Sequence, residues 1–268
     1  MTAVSLSPII ISPLATDIFA INAPCDPEVD VRALLVTGRD RAVLIDTLLR
    51  PSDLDGVQEI VASHGKPLYI VNSHADWDHW WGNGAFPAAP VVAHRLTHER
   101  QLREGRRQLT AKQRTDSSFA EVILRPATIT FEDWMQFDLG GIHVELSPLP
   151  GHVHDQIVAY IPEHRLLFAA DAGEDPIPLV TEGPVAPWAR ALRTWAGKAR
   201  TVVPAHGPIG GAELLRRNAA YLEGLLHEPE RAVPELAGAP AFYRRAHRRN
   251  VKRAAAELEQ FAGAAPSA

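Results

Sequence analysis

Four times in this chain a short apolar run ends on an acidic residue or a histidine. Leu44-Ile45 leads to Asp46, and the run 67–72 leads to His74. Leu166-Leu167-Phe168-Ala169-Ala170 leads to Asp171, and Val202-Val203-Pro204-Ala205 leads to His206. Short β-branched runs bounded by turn residues read as strands. In open α/β sheets functional groups gather beyond the carboxyl ends of the strands. A chain with four such polar strand ends is therefore expected to form layered α/β structure around one shared site.

The rest of the pattern fits this frame. Strands are expected at 17–22, 31–37 and 42–46, followed by a helix. Pro51-Ser52-Asp53 opens that helix, Leu54, Val57, Ile60 and Val61 give its apolar face, and Gly65 closes it. After the strand at 67–72, residues 94–125 turn helical and charged, with eight Lys/Arg against four Asp/Glu. Strands return at 127–131, 135–139, 142–149, 156–161 and 165–170. A proline-rich loop is expected at 171–188 and a last strand at 201–204, with helix beyond it. Strand–helix–strand units in both halves suggest two similar α/β layers facing each other. The chain divides on this reading into a main unit, residues 1–230, with a helical insert at 94–125, and a C-terminal helical extension, residues 231–268, packed on it. Loops as long as 171–188 are commonly lids or binding loops. That loop and the insert are expected to wall the cleft.

Composition excludes several classes. Of 268 residues, 46% are hydrophobic and 22% charged, which is ordinary globular usage and not that of a disordered chain. A formal net charge of −5 advertises neither nucleic acid nor membrane as partner. The first 31 residues carry no Lys or Arg, so no charged signal-peptide start is present. The apolar run 8–15 is broken by Ser12 and Pro13 and falls short of the roughly 20 residues a membrane helix needs. The single cysteine, Cys25, rules out an internal disulfide framework and suits a reducing compartment. A cytoplasmic protein is expected, acting on a small molecule, with a homodimer left open.

The densest chemistry is His74-Ala75-Asp76-Trp77-Asp78-His79, four metal-ligand candidates in six residues after a strand end. Imidazole nitrogen and carboxylate oxygen are ligands that catalytic zinc takes. Residues 74 and 76 project to one side of an extended strand end. Asp78 and His79 need a turn to present both, so one segment can feed two neighbouring metal positions. Further along, His152 follows a strand, and Asp171 and His206 end strands. A lone histidine after a strand is usually a satisfied loop residue. Three more His/Asp in such places, after the cluster, argue against coincidence.

These motifs, SHADWDH at 73–79, GHVHD at 151–155, AADAG at 169–173 and PAHG at 204–207, resemble in order those of the metallo-β-lactamase superfamily. The resemblance covers roughly residues 15–225. It implies an αββα sandwich of the α/β class with a metal site in a cleft at the sheet edges. It implies a first metal on His74, residue 76 and His152, a second on Asp78, His79 and His206, and Asp171 bridging the two. One departure stands out: the family motif has His where this chain has Asp76. A carboxylate there makes the site more neutral and favours harder cations. Flavodiiron proteins of the same superfamily carry Glu at this position and bind iron. Two divalent ions are therefore expected, zinc first, with iron or manganese as the alternative. If Asp76 is too short to reach, a single ion on Asp78, His79 and His206 remains.

Other residues have two readings each. Asp46 either orients a ligand from behind or is a structural carboxylate. His154 and Asp155 either anchor the His152 loop or shuttle protons. Trp77, Trp80 and Trp81 read as packing for a short helix, with one of them available to line the pocket. Arg100, Arg103, Arg106 and Arg107 read as a solvated helix face before a cleft face for anions. Tyr243, His247, Val251, Ala254, Leu258 and Phe261 form a stripe opposite the basic run Arg244–Arg253, which reads as a docking helix before a nucleic-acid contact.

The resemblance implies a hydrolase that uses a metal-bound hydroxide on an ester, lactone, thioester or β-lactam bond, with Asp78 and Asp171 as its catalytic carboxylates. An iron redox enzyme of flavodiiron type is the competing class, and a metal-binding protein with a partly degraded mononuclear site is the third.

Overall fold

Strand β3 (Val29–Thr37) shows why two sheets form. Ala33 and Leu35 enter one apolar cluster, and Leu34 and Val36, on the opposite face, enter another. A strand buried on both faces needs a layer on each side. The computed structural model describes residues 8–26, 28–229, 233 and 236–263.

The first sheet runs β1 (Ile10–Ala15), β2 (Ile18–Asp26), β3, β4 (Ala42–Ile45), β5 (Leu68–Asn72), β6 (Val91–His94) and β7 (Ile129–Phe131), in chain order. It is antiparallel as far as β4 and parallel from β4 to β7. The second contains β8 (Met135–Asp138), β9 (His143–Pro148), β10 (Ile157–Ile161), β11 (Leu166–Ala170), β12 (Thr201–Pro204) and β13 (Gly210–Gly211), again side by side in chain order. Only β11 and β12 pair in parallel there.

Val36, Val43, Ile45 and Val71 of the first sheet meet Val144, Leu146, Ile157 and Phe168 of the second in the central layer. On the outside of the first sheet, Leu44 and Ile70 pack with Leu54 and with Val57 of α1 (Asp55–His64). On the outside of the second, Leu167, Ala169 and Val202 pack under α4 (Val185–Lys198) and α5 (Ala212–His227) through Trp188, Leu192, Leu215 and Leu222. The result is a four-layer αββα sandwich. Among the described residues no helix is long and apolar enough to cross a membrane.

Three local expectations change. The broken run 8–15 contains edge strand β1, where the register with β2 shifts between Pro13 and Ala15; proline is tolerated at an edge because no neighbour needs its missing N–H. The loop expected at 171–188 ends at residue 184, because α4 starts at Val185 with Pro187 in its first turn, where the missing N–H costs nothing. In α6 (Ala241–Gly263) the buried line is Tyr243, Ala246, Asn250 and Ala254, while Leu258 is 42% exposed. The packed face is thus partly polar, and the side chain of Phe261 lies outside the described residues.

Gly82 follows the HADWDHWW segment and lets it press on the turn after β4. A Cβ on Gly82 would lie 1.8 Å from the Thr47 carbonyl oxygen, a backbone atom that cannot swing away. Gly82→Ala should therefore cost about 1–3 kcal/mol or more, the range for overpacking a filled interior. Chemical denaturation of the metal-free protein measures this, and a variant as stable as the parent contradicts the packing described.

Candidate metal centre

The cleft lies where the carboxyl ends of β4, β5, β11 and β12 meet. His74 follows β5. Asp76 immediately precedes α2 (Trp77–Trp80), a single turn that carries Asp78 and His79. His152 comes from the turn between β9 and β10, Asp171 follows β11, and His206 follows β12. One side-chain atom from each of His74, Asp76, His152 and Asp171 lies within 4.8 Å of the others, and the same holds for Asp78, His79 and His206. All seven residues foreseen for the centre are gathered in one place.

Asp171 stands between the two sets. Its Oδ2 is 3.7 Å from His74 Nε2, 3.6 Å from His152 Nε2 and 3.5 Å from His206 Nε2, and its Oδ1 is 3.3 Å from His79 Nε2. Asp76 Oδ2 is 3.1 Å from His152 Nε2 and 3.7 Å from His74 Nε2. Asp78 lies 3.7 Å from both His79 Nε2 and His206 Nε2, one oxygen to each.

Each imidazole is held at Nδ1. His79 Nδ1 is 2.8 Å from Asp46 Oδ2, and His74 Nδ1 is 3.0 Å from Ser73 Oγ, which donates to the same Asp46 oxygen. His152 Nδ1 donates to the Leu179 carbonyl at 2.9 Å, and His206 Nδ1 to the Asp30 carbonyl at 2.5 Å. An acceptor at Nδ1 fixes the tautomer and turns the Nε2 lone pair inward, as metal-bound histidines require. Asp46 is thus the orienting carboxylate of its two readings.

The donor set fits divalent metal. Two donors on one tetrahedral ion at about 2.1 Å stand about 3.4 Å apart. The N–O separations above run from 3.1 to 3.7 Å. His74 Nε2, His79 Nε2 and Asp171 Oδ1 are buried without a hydrogen-bond partner, an arrangement a cation relieves.

The backbone is strained beside the site. Asp46 and Ala170 adopt φ of 60° and 45°. Left-handed geometry costs a residue with a side chain on the order of 1–3 kcal/mol, and such strain collects at functional sites.

Several site residues went unforeseen in these positions. Arg100 of α3 (Arg95–Thr115) turns inward, with its Nη2 on Asp76 Oδ1 and its Nη1 3.1 Å from Asp155 Oδ1. Arg103, Arg106 and Arg107 are exposed as expected, so the solvated-face reading fails for Arg100 alone. Its spacing from buried Thr97 and Gln101 was the available signal. Asp155 anchors the other side of the cleft from the one expected, accepting from Ala75 N at 2.8 Å. His154 is exposed, and its backbone N–H donates to Glu182. Trp80 and Trp81 are core, and Trp77 stays half-buried. Cys25 donates to Asp78 Oδ2 at 3.4 Å, and burial pushes its thiol well up. Buried Glu174 is pushed up to about 8 by burial and by Asp171. As expected, the insert and the 171–184 loop both reach the cluster, through Arg100 and through the Leu179 carbonyl.

Two mixed sheets face to face, helices on both outer sides and a His/Asp cluster at the strand ends define the architecture of the metallo-β-lactamases. The metallo-β-lactamase from Pontibacter korlensis superposes with a TM-score of 0.67 at 22% identity, over 80% of this chain and 99% of that one. FIM-1 from Pseudomonas aeruginosa, in its mono-zinc form, gives 0.64 at 20% identity, over 81% and 96%. The sequence pattern of the metallo-beta-lactamase superfamily matches residues 26–206, and the chain belongs to that superfamily. A linear primary-alkylsulfatase from Pseudomonas sp. (strain ATCC 19151) is 31% identical over 32% of this chain. The chain spans 18% of the length of that relative.

Burial alone would lower the imidazole pKa values, but the facing carboxylates outweigh it. Asp171, Asp78 and Asp46 push His79 up to about 9, and Asp76 and Asp171 push His152 up to about 10. Stability from a raised pKa is fully present below the unfolded value of about 6.5 and is lost as pH rises through the folded value. The melting temperature of chelator-stripped protein should therefore fall as pH rises from 7 to 10. Zinc-loaded protein, with imidazoles neutral as ligands, should fall less. Parallel melting curves for the two forms across this range would contradict the assignment.

Proposed function

We propose that this chain is a metal-dependent hydrolase of a small molecule bearing an ester, lactone, thioester, β-lactam or sulfate ester bond. The convergence of four Nδ1-anchored imidazoles on Asp171 carries this reading. Membership of a superfamily of metallohydrolases supports the reaction class, and the alkylsulfatase relative adds the sulfate ester to the substrates worth testing.

In this proposal His74, Asp76, His152 and Asp171 hold one divalent ion, and Asp78, His79, His206 and the shared Asp171 hold a second. Zinc suits the four imidazoles, and three carboxylates leave room for iron or manganese. Bound there, such ions supply Lewis acidity: they lower the pKa of water towards neutrality and polarise the scissile oxygen.

The chain's own residues do the rest. Asp46 and the carbonyls of Leu179 and Asp30 keep imidazole protons on Nδ1, away from the reacting space. Asp78 and Asp171 face that space with carboxylate oxygens and take the proton of the attacking water, then pass it to the leaving group. Substrate enters past Asp76, whose side chain is 25% exposed against 6% for Asp171. The buried remainder excludes bulk water and strengthens each electrostatic contact.

Asp171→Ala removes a donor from both sets at once. It should abolish hydrolysis and sharply reduce bound metal. The strand before it should still pack, because Leu166 to Ala170 are buried without help from the carboxylate. The checks are metal analysis, circular dichroism and a panel of carboxylic esters, lactones, thioesters, β-lactams and alkyl sulfates. Near-full activity in this variant, or no turnover of any panel member by the metal-loaded parent, overturns the proposal.

A further inference from the structure

Asp76 replaces a neutral imidazole with a negative charge, and a positive charge sits directly behind it. Arg100 is 14% exposed, and its guanidinium spans two carboxylates, Nη2 to Asp76 Oδ1 and Nη1 to Asp155 Oδ1 at 3.1 Å. Its Nε lies 3.4 Å from Glu104 Oε2. Asp155 is in turn fixed by Ala75 N at 2.8 Å, so the fork is braced on the backbone next to Asp76. The two oxygens of Asp76 are thereby divided, Oδ1 to Arg100 and Oδ2 to the imidazoles of His74 and His152.

Charge decides what this division means. A guanidinium this close to a cation site repels the cation unless a carboxylate stands between them. An uncompensated third carboxylate would instead raise the negative charge of the site. With both residues present Arg100 offsets part of the charge of Asp76, because the guanidinium is shared with Asp155 and Glu104. The rigid two-pronged fork also prevents Asp76 from rotating both oxygens inward, which a flexible ammonium could not do as well.

We infer that Arg100 and Asp76 act as one unit, which stands in for a neutral imidazole at the first metal position. Arg100 is its positioning residue, holding Asp76 to a single inward oxygen and offsetting its charge. This rests on the two-ion reading of the cluster given above, and it goes beyond it by making the residue at 76 interpretable only together with a residue on α3.

The unit predicts an order of rescue. Asp76→His alone places an imidazole against a guanidinium that has lost the carboxylate between it and the ion and keeps only Asp155 and Glu104 behind it, so zinc affinity at the first position should fall about ten- to a hundredfold, the scale on which supporting contacts act on a metal site. Asp76→His combined with Arg100→Met removes that charge and should return affinity to within about threefold of the parent. Asp76→His combined with Arg100→Lys keeps the charge and should stay weak.

Zinc stoichiometry and affinity of the metal-stripped full chain are read by competition with a chromophoric chelator. The ion on Asp78, His79 and His206 serves as an internal control for folding in every variant. Two ions in the parent with this pattern of rescue support the inference. Two ions in the parent overturn the inference alone if Asp76→His binds as tightly as the parent, if Arg100→Met fails to rescue it, or if Arg100→Lys rescues it equally. A parent that binds one ion or none overturns the two-ion reading itself.

Discussion

The anchoring of four imidazoles at Nδ1 is the constraint on which the rest of this structure turns. An imidazole presents its Nε2 lone pair inward only if its other nitrogen keeps a proton and a partner. The partners come from widely separated segments: Asp46 after β4, Ser73 after β5, the Leu179 carbonyl in the 171–184 loop and the Asp30 carbonyl in β3. Both sheets must therefore end at one rim. Arg32, buried in β3, helps to hold that rim closed. Its Nη1 donates to the carbonyls of Pro204 and Gly207, on either side of His206, and its Nη2 to Asn22 and Asp30. The left-handed backbone at Asp46 and Ala170 belongs to the same requirement, since a strand that simply continued would carry Asp46 and Asp171 past the cleft.

A second polar cluster ties the helical insert to this rim. Asn72 and Asn83 exchange side-chain hydrogen bonds, Thr47 donates to Asn83, and Gln101 of α3 donates to Asn72. These buried groups are satisfied by one another, as a buried network must be if it is not to destabilise the fold. The network sets the distance from α3 to the end of β5, and with it the reach of Arg100. Gly105 allows the approach: a Cβ there would lie 2.8 Å from the ring of Trp80. The insert is placed by contacts with the site and is more than a solvated appendage.

This explains what the sequence could and could not disclose. The strand ends and the motifs that follow them were legible because each ligand is local to a strand, and a strand announces itself by its own apolar residues. Asp46 was visible as a candidate for the same reason, but its partner was not, since His79 arrives from another segment. The partners of Arg100 were unreadable. On a helix with charge on most faces, the spacing of Arg100 from Thr97 and Gln101 marks it as facing inward but does not say which carboxylate it meets, while Arg103 pairs with Glu104 on the exposed side. The role of Arg100 depends on where α3 docks, and that is set by amides and a glycine whose partners lie far along the chain. Edge strand β1 was hidden by a proline that only an edge tolerates.

The C-terminal helix follows the same logic, and it is where an apolar-stripe reading fails most plainly. Asn250, Arg253 and Glu257 fall along the side of α6 that meets the 171–184 loop. Asn250 accepts from Val180 N and donates to the Pro178 carbonyl, Arg253 donates to the Thr181 carbonyl, and Glu257 accepts from Val185 N at the start of α4. All four backbone partners lie in residues 178–185, which have no neighbouring strand to satisfy them. That segment also turns back on the metal side: Leu179 accepts from His152 Nδ1, and the N–H groups of Thr181 and Glu182 donate to the His152 carbonyl. A loop with that many unpaired backbone groups cannot lie buried against an apolar helix face without losing several hydrogen bonds, each worth about 1 kcal/mol or more when left unmade. The polar residues on the packed side of α6 therefore serve the loop, and through Leu179 they serve the orientation of a residue at the metal centre.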